Sequence, residues 1–187
     1  MIKALAAVAI AFALCGEVEA KPARVFVFYG QGGIVTSPGM LALANRVKTL
    51  GAVVTTHNWD DYGSAVSTIR KLPPDVPVVL IGYSLGAGVT TYISNSLPKR
   101  RIALIVAYDP SIWQPQQRAG PNVTRLLLYR NGGFDLWGHA RIPGAMVETT
   151  EVVMFHLAVQ FSERLHAMTL AAVRKVMGKD DQPLIGW

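Results

Sequence analysis

The residue of this sequence best suited to covalent chemistry is a serine between two glycines. Ser84 stands in Gly-Tyr-Ser-Leu-Gly at residues 82–86, directly after the apolar run 77–81. A strand that turns into a helix within about two residues forces the serine into a strained backbone, and only small neighbours fit beside it. Such a turn exposes the hydroxyl at the carboxyl end of the strand. The spacing therefore predicts a nucleophile elbow, with Ser84 as the nucleophile of an acyl transfer.

With a strand-like run before the motif and a helix-like run, residues 87–97, after it, the chain resembles the α/β-hydrolase superfamily. It is most similar to the small, lidless, exported esterase-like members, over most of the chain after residue 21. The resemblance implies a catalytic triad in the chain order serine, acid, histidine. We expect no cofactor, and no metal, because the sequence has no His, Cys and Asp cluster with metal-ligand spacing.

A serine hydroxyl becomes a good nucleophile when a base takes its proton. The sequence has four histidines. His156 follows the last predicted strand, where the order implied by the resemblance places the base. His57 and His139 come too early for that order. His166 falls in the final predicted helix and remains the alternative, either as the base or as a residue that supports the site.

Two aspartates are candidates for the acid that orients the base. Asp109 comes directly off a buried strand, in an Asp-Pro pair that resembles the arrangement in some lipases. Asp135 follows the next strand, which is the more general position of the hydrolase acid. It comes after Asn-Gly-Gly, however, a segment that would hold a carboxylate less firmly. We favour Asp109 and keep Asp135 as the alternative.

The resemblance also implies two backbone donors for the oxyanion of a tetrahedral intermediate. One is the amide of Leu85, the residue after the nucleophile. The other lies in the glycine-rich loop after the first strand, residues 30–33, where Gln31 is the favoured donor and Gly32 the alternative. Aromatic residues at the same edge are candidates to line a substrate pocket: Trp59, Tyr83, Trp113 and Trp137.

Apolar periodicity predicts the elements that position these residues. The predicted strands are 24–29, 52–56, 77–81, 101–108, 122–129 and 148–155, and the predicted helices are 38–50, with Ser37 as its N-cap, 62–72, 87–97 and 162–177. Continuous apolar strands that alternate with helices indicate an α/β fold, a three-layer sandwich around a mainly parallel sheet of about six strands. The connections 110–121 and 130–147 show no convincing helix, in contrast to the usual family pattern.

Residues 1–20 have the pattern of a secretory signal peptide, with Lys3, a short apolar run and Ala20 before the cut. We therefore expect an exported protein whose mature part, residues 21–187, is a single domain. The only cysteine of the sequence is Cys15. The mature chain would consequently fold without a disulfide.

The formal net charge is +6 at pH 7, and most positive residues are scattered. This pattern favours at most a loose association with an anionic envelope surface and argues against nucleic-acid binding. The tight basic cluster 99–101 is predicted as a solvated loop at the sheet edge opposite Ser84. We expect a monomer.

These predictions favour a serine hydrolase that cleaves a small-molecule ester or thioester through an acyl-enzyme. Ser84 would attack, His156 would transfer the proton, and Asp109 would orient the base. The alternative hypothesis is a hydrolase-fold module without turnover that binds an envelope or lipid component. Covalent labelling of Ser84 by a fluorophosphonate separates the two.

Overall fold

Six parallel strands form one sheet in the order β2-β1-β3-β4-β5-β6, in a computed structural model that describes residues 21–111, 118–132 and 147–179. The strands are β1 Arg24–Phe28, β2 Val53–His57, β3 Val78–Tyr83, β4 Leu104–Tyr108, β5 Leu126–Asn131 and β6 Val147–Val152. The predicted signal peptide, residues 1–20, lies outside the described residues, as does Asp135.

The described part of the chain has five α-helices and one short 3₁₀ helix, Gly33–Val35. The α-helices are α1 Pro38–Thr49, α2 Tyr62–Lys71, α3 Leu85–Ser96, α4 His156–Val159 and α5 Glu163–Val176. Among them there is no helix with the length and apolar character needed to span a membrane. In the connections 110–121 and 130–147, where no helix was predicted, the described residues contain none; residues 112–117 and 133–146 lie outside the described part.

Helices cover both faces of the sheet, and the central strands β1, β3, β4 and β5 are almost entirely buried. Successive side chains of each strand point to opposite faces. One face packs against α1 and α5, and the other packs against α2 and α3. In β1, for example, Val25 and Val27 contribute to the first core and Phe26 and Phe28 to the second. This arrangement confirms the predicted three-layer α/β architecture.

The last strand is shorter than predicted. β6 ends at Val152, because its partner β5 ends at Asn131 and the pairing of the two strands ends there. The next apolar residues do not continue the sheet: Val153 is 86% exposed and Phe155 is 84% exposed. The turn brings His156 to the first position of α4, a four-residue helix that the periodicity of the sequence did not predict.

The basic cluster at residues 99–101 lies at the amino-terminal edge of the sheet, as expected, but Arg100 is partly buried. Its guanidinium donates hydrogen bonds to three carbonyl groups before β3, those of Leu72, Pro73 and Val76. Arg100 therefore links two connections of the fold and is more than a solvated charge.

Candidate active site

Ser84 lies between β3 and α3 with φ 54° and ψ −119°, a conformation that is strained for a residue with a side chain. A Cβ atom at Gly82 would lie 2.2 Å from the carbonyl oxygen of Gly86. A Cβ atom at Gly86 would lie 2.4 Å from the carbonyl oxygen of Phe28. Because no side chain fits at either position, the two glycines allow the sharp turn that the sequence predicts.

The structure brings together Ser84, His156 and Asp109, the three residues favoured by the sequence. Nε2 of His156 lies 2.9 Å from Oγ of Ser84, and Nδ1 of His156 lies 2.7 Å from Oδ2 of Asp109. Asp109 is fully buried, and both other side chains are buried at the base of a cavity. This is the geometry in which an imidazole can take the serine proton while a carboxylate stabilises the resulting cation.

The carboxylate of Asp109 is held by the neighbouring strand. Its Oδ1 accepts a hydrogen bond of 3.0 Å from the backbone amide of Asn131, which leaves Oδ2 for His156. The Asn131 side chain donates to the carbonyl of Met154, just before α4. Asn131 was not among the predicted site residues. Its only signal in the sequence is its place at the end of β5, directly before the glycines that suggested a loose segment.

Tyr83, the residue before Ser84, supports His156 through a hydrogen bond. Its hydroxyl donates a hydrogen bond of 3.1 Å to the backbone carbonyl of His156. Tyr83 also lines the cavity, in agreement with the sequence. Trp59 instead packs against the core between the sheet, α2 and α3, and does not line this cavity. Trp113 and Trp137 lie outside the described residues.

A cavity of about 370 Å³ opens over Ser84. Its described lining includes Gln31, Gly32, Thr36, Tyr83, Leu85, Ser111, His156 and Leu157. Within the described part of the chain, neither the Gln31 amide nor the Leu85 amide donates a hydrogen bond to another residue. Leu85 is also the first residue of α3, where the positive end of the helix dipole favours a negative charge. Gln31 and Leu85, the two predicted oxyanion donors, thus line the same cavity as Ser84.

The loop that carries Gln31 is closed by its own side chains. The hydroxyl of Ser37 accepts a hydrogen bond of 3.1 Å from the Gly30 amide. Thr36 donates its hydroxyl to the carbonyl of Gln31. Ser37 occupies the N-cap position of α1, as predicted, but its side chain does not cap the helix. Its hydroxyl instead accepts the hydrogen bond from the Gly30 amide.

His166 lies in α5 and does not contact Ser84, so the structure leaves it only the supporting role considered from the sequence. Its Nε2 is 2.7 Å from the carbonyl oxygen of Gln160, and therefore carries the proton. Its Nδ1 lies 3.4 Å from the Arg46 guanidinium. Burial lowers the pKa of His166, which favours the neutral ring. The described residues include no group of three or more His, Cys, Asp or Glu side chains that could hold a metal.

The all-parallel sheet, its two helical layers and the elbow after β3 define the α/β-hydrolase fold. The sequence matches no protein-family model, and no curated protein matches it significantly. Among solved structures, the chain is similar to a lidless α/β serine hydrolase from Xanthomonas campestris, with 14% identity and a TM-score of 0.56 over 89% of this chain and 88% of that one.

Two further solved structures show the same likeness. Est1E from Butyrivibrio proteoclasticus has 10% identity and a TM-score of 0.57, over 86% of this chain and 89% of that one. Human thioesterase 2 has 8% identity and a TM-score of 0.56, over 86% of this chain and 98% of that one. At these identities the likeness shows the fold alone, and that fold is the one that the sequence motif indicates.

Proposed function

We propose that the protein is a serine hydrolase that cleaves an ester or thioester through an acyl-enzyme. The observation that carries this proposal is the chain of two hydrogen bonds from Ser84 through His156 to Asp109. The strained backbone of Ser84 supports it, because strain of this kind is found at functional sites. The fold and the two amides beside the serine agree with the same chemistry.

In the first half of the reaction, Oγ of Ser84 bonds to the carbonyl carbon of the substrate, and its proton passes to Nε2 of His156. Asp109, hydrogen-bonded to Nδ1, stabilises the imidazolium that forms. The electron pair of the carbonyl moves to its oxygen, where the amides of Gln31 and Leu85 stabilise the negative charge. The bond to the leaving oxygen or sulfur then breaks, and the leaving group takes the proton from Nε2.

In the second half, water attacks the acyl-enzyme as it gives a proton to Nε2 of His156. The same two amides stabilise the second oxyanion. When the bond between the acyl carbon and Oγ breaks, Ser84 recovers the proton from His156. The products are a carboxylic acid and the free enzyme, so all atoms and protons are balanced.

An apolar side chain of the cavity supports an acyl substrate. Leu157 lines the cavity and is 56% exposed. Phe155 and Val35, each one residue away from a lining residue, are exposed apolar side chains as well. Exposed apolar side chains at and next to the cavity favour contact with the hydrocarbon part of a small-molecule ester or thioester.

The decisive experiment compares the parent protein with Ser84→Ala on p-nitrophenyl esters of increasing acyl length and on acyl thioesters. We expect the parent to turn over at least one of these substrates and to react with a fluorophosphonate probe. Ser84→Ala should lose both properties. The matched control is Ser96→Ala, at the opposite end of the same helix α3, which should retain both.

Equal turnover by the parent and Ser84→Ala would refute the mechanism. A parent protein that neither turns over the substrates nor reacts with the probe would favour the binding module instead. Peptide mapping of the labelled protein identifies the modified serine.

We also propose that the protein is exported, on the basis of the signal-peptide pattern in residues 1–20. Expression of the full sequence with separation of the cell fractions tests this proposal. A mature protein that begins at Lys21 would support it, and an uncleaved protein in the cytoplasm would contradict it.

A further inference from the structure

Gln160 is a buried polar residue that follows α4, the helix that begins with His156. Its side-chain amide makes two hydrogen bonds to the other half of the site. Oε1 accepts a bond of 3.0 Å from the backbone amide of Gly39, and Nε2 donates a bond of 2.8 Å to the carbonyl of Thr36. One side chain therefore contacts both the end of the loop that carries Gln31 and the start of α1.

The contact with Gly39 replaces a missing helix cap. The first amides of an α-helix have no acceptor within the helix, and a serine at the N-cap usually supplies one. Here Ser37 is at the N-cap, but its hydroxyl accepts from Gly30 within the loop. Gln160 supplies the acceptor instead, from a position 121 residues away in the chain.

The contact with Thr36 reaches the candidate oxyanion donor. While its carbonyl accepts from Gln160, Thr36 donates its hydroxyl to the carbonyl of Gln31. A displacement of Thr36 would thus be transmitted to Gln31 through one hydrogen bond. The order of contacts is Gln160, Thr36, Gln31 and then the cavity over Ser84.

Gln160 is itself held in place on two sides. Its backbone carbonyl accepts a hydrogen bond of 2.7 Å from Nε2 of His166. It also lies against the backbone of Gly39, where a Cβ atom would be only 2.4 Å from the Gln160 oxygen. The oxygen and the nitrogen of the buried amide thus each have a hydrogen-bond partner, which favours one orientation of the side chain.

We propose that Gln160 is a positioning residue that holds the loop of Gln31 at a fixed distance from the helix of His156. It does not contact the reacting atoms; it sets the relative position of the oxyanion donor and the base. This inference rests on the proposed hydrolase function and extends it to a residue outside the triad.

Two substitutions remove these contacts in different ways. Gln160→Leu removes both hydrogen bonds, whereas Gln160→Glu keeps an acceptor for Gly39 and places an oxygen against the Thr36 carbonyl in place of the donor. Because the side chain is buried, the carboxylate also costs stability. We expect both variants to be less stable than the parent and impaired in turnover, and a control elsewhere in the fold separates positioning from simple destabilisation.

The impairment should fall on kcat rather than on KM, because an oxyanion interaction is made in the transition state. Complete loss of one oxyanion donor costs about 10²–10³-fold in kcat. A displaced donor should cost less, and we expect a reduction of about 10–100-fold for Gln160→Leu on that scale.

Asn122 provides a matched control. Like Gln160, it has an amide side chain that ties a helix end to a loop, although it is only half-buried. Its Nδ2 donates to the carbonyls of Ser94, Leu97 and Arg100. These contacts lie at the edge of the sheet opposite Ser84. Asn122→Leu should lower the melting temperature without a change in kcat.

Hydrogen exchange of the amides in residues 30–37 gives a readout that does not depend on activity. We expect faster exchange there in Gln160→Leu than in the parent, and no change in Asn122→Leu. Unchanged exchange in this loop would overturn the inference. The inference would also be overturned if the parent protein is active and Gln160→Leu differs from it in melting temperature alone.

The failure of the proposed function is a different outcome from the failure of this inference. The proposed function fails if the parent protein neither turns over a substrate nor reacts with the fluorophosphonate at Ser84. In that case faster exchange of residues 30–37 in Gln160→Leu would still support the positioning of the loop. The two failures are therefore distinguishable.

Discussion

The imidazole of His156 is stacked on the ring of Tyr83, with the ring centroids 5.1 Å apart and the planes inclined by 27°. Because Tyr83 directly precedes Ser84, the strand that leads to Ser84 also supports His156. The hydroxyl of Tyr83 adds a hydrogen bond to the His156 carbonyl. The candidate nucleophile and the candidate base thus share one support.

This support can be dissected by two substitutions of Tyr83. Tyr83→Phe keeps the stacked ring and removes the buried hydrogen bond, so we expect the free energy of unfolding to fall by about 1–3 kcal/mol. Tyr83→Leu also removes the ring, and its kcat should be lower than that of Tyr83→Phe. Equilibrium unfolding and ester turnover of the two variants measure both effects. A Tyr83→Leu enzyme as active as Tyr83→Phe would contradict a role for the ring.

Asp109→Asn tests the choice of acid. The amide would no longer stabilise a positive imidazolium and would favour the wrong tautomer of His156, so kcat should fall by about 10³–10⁴-fold. Asp75→Asn is the control, because Asp75 is an exposed aspartate paired with Lys21. A fully active Asp109→Asn enzyme would exclude Asp109 as the acid and return attention to Asp135.

Gly39→Ala tests the close contact between α1 and the segment after α4. The new Cβ would lie 2.4 Å from the Gln160 carbonyl oxygen, so one backbone must move. We expect the unfolding free energy to fall by about 1–3 kcal/mol, together with a loss of turnover.

Gly63→Ala is the matched control for this substitution. Gly63 lies in α2, and a Cβ there would meet no atom within 4 Å. Loss of chain entropy in the unfolded state should raise its stability by about 0.4–1 kcal/mol. Equal effects of the two substitutions would argue against the contact.

His166 should make the stability of the protein depend on pH. Burial lowers its pKa in the folded state, whereas a histidine in the unfolded chain has a pKa of about 6.5. In the range between these values the unfolded state binds more protons, so stability falls as the pH falls through about 6.5. Burial, the largest cause, lowers the pKa, and Arg46 lowers it further, whereas the hydrogen bond to the Gln160 carbonyl and the charge of Glu163 raise it. The ring of Tyr108 also packs against the imidazole.

His166→Gln keeps a donor for the Gln160 carbonyl and does not titrate. Unfolding free energies measured between about pH 8 and pH 5 should decline less steeply for this variant than for the parent, because one source of proton uptake is gone. Parallel curves would show that His166 does not contribute to the pH dependence.

The features predictable from the sequence are those set by neighbouring residues. The elbow at Ser84 follows from local steric demands, and the strands and helices follow from apolar periodicity. Chain order, taken from the family resemblance, indicated His156 and favoured Asp109. Their hydrogen-bonded arrangement is present in the structure, while their catalytic roles remain predictions.

The residues that the sequence did not indicate act across long separations. Asn131 supports an aspartate 22 residues away, and Gln160 caps a helix 121 residues away. Neither contact belongs to a local pattern, since Asn131 acts through its backbone amide and Gln160 through a single side chain, without a repeat or motif. The start of α4 was missed because the apolar residues before it resemble a continued strand.

The distance in sequence between Gly39 and Gln160 also bears on how the chain acquires its site. Contacts between such remote residues close large loops, and loop closure of this kind slows folding. His156, which is hydrogen-bonded to Ser84, belongs to the segment 147–179, so we expect the contact between the two side chains to form only after that segment has packed against the sheet. On the proposed mechanism, a partly folded chain would hold a serine that is not yet activated.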